Sequence, residues 1–75
     1  MTPIKPYLIR AIELIEAIED TQRQADERRN VAKVTDIPQY AELNRKLAER
    51  HERAVARLEK QLETIKSEIL KLWHE

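Results

Sequence analysis

Not one of the 75 residues is glycine. The chain therefore lacks the residue that enters the φ > 0 region at no steric cost, and tight β-hairpins become hard to build. What it has in quantity is Glu, Lys, Arg, Ala, Leu and Ile, which are mostly strong helix formers. The expected fold class is all-α. Cysteine is absent as well, which removes disulfides and thiolate chemistry and fits a reducing compartment.

Three prolines punctuate the sequence, at Pro3, Pro6 and Pro38. The first two precede the apolar run "YLIRAIELIEAI", and proline is tolerated in a first helical turn because its missing N–H had no partner there. Asp36, two residues before Pro38 and three before Gln39, reads as an acidic N-cap with a capping-box partner. One domain is expected over 1–75: a first helix at about 4–33, a turn at about 34–37 and a second helix at about 37–74. Helix 2 carries one narrow stripe, Tyr40, Leu43, Leu47, Ala54, Leu58, Leu62, Ile65, Ile69 and Leu72. Glu42–Lys46 and Glu49–Arg53 sit four apart on its wet face, in the favourable orientation for ion pairs.

Helix 1 is broader in its grease. Ile4, Tyr7, Leu8, Ala11, Ile12, Leu14, Ile15 and Ile18 spread over an arc of roughly 160°. A short break folds the two helices into an antiparallel hairpin, with Ala25 level with Leu47, Ile15 with Leu58 and Leu8 with Ile65. Helix 2 spends its stripe on helix 1, and helix 1 has arc to spare. A chain this small buries little surface alone, so self-association into a four-helix bundle dimer is expected. Ile4, Leu8, Ile12, Leu14, Ile15, Ile18, Leu58, Leu62, Ile65, Ile69 and Leu72 are its predicted core and interface. Burying four more Ile or Leu side chains would contribute on the order of 6–12 kcal/mol before association costs.

Chemistry-bearing patterns are sparse. His51 lies on the helix 2 stripe without the further ligands a metal needs, and is expected as a register-setting or pH-sensitive core residue paired with Gln22 or Asn44. Glu13, Glu16 and Glu19 read as a solvated face. Trp73 is expected to pack over Pro6 or Tyr7 at the bundle end. No catalytic constellation or glycine-rich loop is present, so neither enzymatic activity nor a cofactor or small-molecule substrate is indicated. Arg10 and Arg28 have a separation reminiscent of the dianion-holding arginines of helical chorismate mutases, but that fold's third helix is missing.

Formal net charge is zero, yet residues 21–57 hold nine Lys/Arg against six Asp/Glu and the rest five against eight. That polarity supports a second reading, nucleic-acid binding near the turn through Arg28, Arg29, Arg45, Lys46, Arg50 and Arg53. No signal peptide or membrane span is expected, and a cytoplasmic location follows as the default.

The segment "TPIKPYLIRAI", residues 2–12, resembles the opening of the stringent starvation protein B family, whose first helix carries a similar Pro-Tyr-Leu-x-Arg-Ala run. The resemblance implies a dimerising helix. It reaches no further, because the family's following Glu-Trp pair and its β domain have no counterpart. The function expected is a non-catalytic oligomerisation or protein-interaction module acting through helix–helix contacts.

Overall fold

The computed structural model describes residues 3–74 and consists of two long helices. Helix α1 spans Lys5–Val34 and helix α2 spans Pro38–Trp73. They pack against each other along a rod whose Cα atoms extend 59 × 14 × 12 Å. There is no strand among the described residues.

The reversal between the helices is made without any residue at positive φ. Thr35 ends α1 in extended backbone, and its N–H still reaches the Val31 carbonyl at 3.1 Å. Ile37 is extended too, at φ −99° and ψ 109°, the region that the residue before a proline favours. Pro38 then opens α2, and the Ala41 N–H donates to the Ile37 carbonyl at 3.0 Å. The N-cap is therefore Ile37, and the predicted Asp36 cap does not form. Asp36 stands one residue too early, because the proline ring fits the first helical position. In the turn the Ile37 N–H donates to the Thr35 hydroxyl at 3.3 Å.

Inside the rod α2 follows a seven-residue repeat throughout, and α1 follows one that the exposed Arg28 interrupts. On α1 the inward line runs Ile4, Tyr7, Ala11, Leu14, Ile18, Thr21, Ala25, with Ala32 beyond; all are buried or half-buried. On α2 it runs Ala41, Asn44, Ala48, His51, Val55, Leu58, Leu62, Ile65, Ile69, Leu72, likewise buried or half-buried throughout. Intervals of three and four keep a seam facing its partner, the geometry of a coiled coil. Arg28 donates to the Asn44 side-chain oxygen at 3.3 Å, which sets Ala25 within a residue of both Leu47 and Ala48.

The seam changes character along its length. Leu58, Leu62, Ile65, Ile69 and Leu72 supply the open end, while Ala25, Ala41 and Ala48 supply the turn end. Small residues let two backbones approach closely, so the turn half closes on alanines. This corrects the expected stripe: Tyr40 and Leu43 are exposed, one wheel step away from the buried Ala41 and Asn44. Leu14, expected at an interface between copies, is 1% exposed inside the hairpin and has no surface left to offer.

Candidate interaction surfaces

The positions that flank the seam decide what this rod can touch. Leu8, Ile12 and Ile15 follow one another at four and three along one side of α1, and are 44%, 57% and 44% exposed. Beside Ile15 and Ile18 lies an open groove of about 300 Å³ whose other wall is Glu59, Leu62, Glu63 and Lys66 of α2, with Glu19 at its rim. Leu70 and Trp73 are exposed toward the same end of the rod. At the turn end a second group, Val34, Ile37, Tyr40 and Leu43, is exposed as well.

Charged side chains tie the two helices together at few points. The strongest is a fork: the Arg29 guanidinium donates to both Glu52 carboxylate oxygens, at 2.7 and 2.5 Å. Those hydrogen bonds hold the Glu52 carboxyl below the ordinary glutamate range and raise Arg29 further. Arg10 donates to the Gln61 side-chain oxygen at 3.3 Å and lies 3.5 Å from Glu13. Asn44, buried and fully partnered, accepts from Arg28 and donates to the Tyr40 carbonyl at 2.8 Å.

These contacts redistribute the six predicted nucleic-acid residues. Arg28 is engaged with Asn44, Arg29 with Glu52, and Arg45 with Glu42 at 2.7 Å. The Arg45 hydrogen bond lowers the Glu42 pKa and takes the acid that the sequence assigned to Lys46. Glu49 makes no ion pair with Arg53 among the described residues. Lys46, Arg50 and Arg53 are left exposed, and Arg57 and Lys60 continue their line. A charge count around the turn does not single out these two; their spacing of four and then three beyond Arg53 does.

His51 is half-buried on the seam, but both expected partners are occupied elsewhere: Gln22 donates to Asp26 at 3.1 Å, and Asn44 is engaged as above. Trp73 is 74% exposed and does not cap the end. Ile9 stands exposed on the outer face of α1, among Glu13 and Glu16. Among the described residues no three His, Asp or Glu gather as a metal site, and no helix is long and apolar enough to cross a membrane.

Comparison with protein-family models, curated proteins and solved structures finds no match to the chain. The short likeness to the stringent starvation protein B opening thus has no wider similarity behind it.

Proposed function

We propose that the protein is a non-catalytic helical-hairpin interaction module that completes its core by pairing with a second copy of itself, as a two-fold four-helix assembly at the open end. The observation that carries this reading is the line Leu8, Ile12, Ile15, three large aliphatic side chains left about half exposed on a rod whose own fully covered apolar residues are mostly alanines. A hairpin closed on alanines buries little apolar area, and small domains with so little core usually gain stability by association. A two-fold interface is self-complementary, so the same patch serves both copies. Crossing at Ile12 would set that residue against its own counterpart, with Leu8 opposite the second copy's Ile15.

Sedimentation equilibrium at micromolar concentration tests the reading, with a mass of twice 8.9 kDa as the expected outcome. The chain has no cysteine, so a single Ile12→Cys substitution gives a clean geometric probe. It should oxidise to a disulfide-linked dimer readily, whereas Ile9→Cys, on the outer face, should not. A folded monomer that resists cross-linking at Ile12 would overturn the proposal.

A further inference from the structure

Along the outer face of α2, Lys46, Arg50, Arg53, Arg57 and Lys60 follow at intervals of four, three, four and three, and all five are exposed. Helical geometry stacks such residues in one line roughly 21 Å long, with neighbours about 5–6 Å apart. No acid stands in the line, and the flank on the side of Tyr40 and Leu47 carries none before Glu68. Among the described residues Arg10, Arg23, Arg29, Arg45, Lys66 and Lys71 each form an ion pair, and none of these five does.

Isolated surface cations usually sit beside acids three or four residues away, and Glu42 and Glu49 are available for that here. Glu42 is instead drawn to Arg45, with Lys46 acting on it only as a second, weaker charge, and Glu49 stands beside Lys46 and Arg53 without forming an ion pair with either. On α2 itself Glu42, Glu49 and Glu63 flank one edge of the line, and Arg45 and Lys66 take up Glu42 and Glu63; the further acids Glu13, Glu16 and Asp20, on the outer face of α1, lie across the rod. The rod is 12–14 Å wide at its Cα atoms, beyond the roughly 8 Å over which charges are felt at physiological salt. Zero net charge therefore does not cancel the cationic edge.

We propose that this line binds the phosphate backbone of double-stranded nucleic acid. A straight row of unpaired cations complements a row of phosphates, and arginine presents several donors to each phosphate. No aromatic ring interrupts the row, so unstacked single-strand bases would find no platform. Contacts confined to phosphates are indifferent to base sequence. Binding along this line does not require self-association.

Fluorescence anisotropy with labelled 20-base-pair duplexes, one DNA and one RNA, tests it across about 50 to 200 mM salt. If all five residues engage, log affinity should fall against log salt with a slope of about −4.5. The Arg50→Gln/Arg53→Gln variant, helical by circular dichroism, should flatten that slope by about 2. Arg23→Gln, which removes a cation already paired with Asp20 on α1, should leave it unchanged. Failure of both duplexes to bind at the lowest salt, or a slope indifferent to the double substitution, overturns the proposal. So does a third result: no duplex binding together with a lower sedimenting mass for the double variant, which would assign the line to the acidic face of another copy.

Discussion

Leu14 and Ile15 are neighbours in sequence with opposite environments, one closed inside the hairpin and the other half open. Leu14→Ala removes packed methyl groups and leaves a void, which costs about 2–5 kcal/mol in well-packed cores. Ile15→Ala in a lone hairpin would cost far less. In a paired assembly its cost becomes comparable and depends on protein concentration, because the lost area belongs to association. Denaturant titrations of both variants at two concentrations separate the cases. The Arg29–Glu52 fork gives a second residue-level expectation. The Glu52 pKa is lowered by folding, so its contribution is complete above the ordinary glutamate range and fades as pH falls through the folded-state value. Arg29, raised from an already high value, adds nothing over that window. Thermal melts of the wild type and Glu52→Gln should therefore differ at neutral pH and converge in acid; equal gaps at both would deny the fork any part in stability.

At the scale of the helices, the two ends of α2 obey different rules. Ile37 is its N-cap, extended and exposed, with no side-chain oxygen for the first amides. Ile37→Asp should supply that acceptor and favour the helix dipole, raising stability by about 1 kcal/mol, or about 4–8 °C in Tm for a domain of this size. A fall in Tm would mean that the isoleucine is covered by something else. Within α2, Ala48 is fully buried, so Ala48→Leu should push the helices apart there and cost about 1–3 kcal/mol. The helices and their antiparallel level were readable because proline, apolar spacing and absent glycine act locally. The turn-half seam was not. Carried back strictly by sevens, Leu72, Ile69, Ile65, Leu62 and Leu58 lead to Val55, His51, Ala48, Asn44 and Ala41. Following the largest side chains leads instead to Leu47, Leu43 and Tyr40. Between close helices alanine is the better fit, so hydrophobic size pointed to the wrong face. The unpaired cations were hidden for a related reason: which arginine takes which acid depends on the partner helix, and Arg29 finds its own on α2.

For the whole molecule, the question is what keeps a two-helix rod folded. An isolated pair of helices joined by three residues has one seam, and here its turn half is built from small and polar residues, Ala25, Ala41 and Ala48 with Asn44 and His51. Helices of this length draw most of their stability from a packed apolar face. If Leu8, Ile12 and Ile15 provide the second seam, folding and association are one equilibrium, and Tm must rise with protein concentration. Ile15→Asp would then lose both together, since a charge in a closing apolar interface has no partner to offset its desolvation. The matching experiment follows helicity and sedimenting mass of that variant over a hundredfold concentration range. Loss of helicity in step with loss of the dimer is the expected result. A monomer of 8.9 kDa with full helicity and a Tm independent of concentration would show that the hairpin stands alone, and that the exposed line serves some other partner.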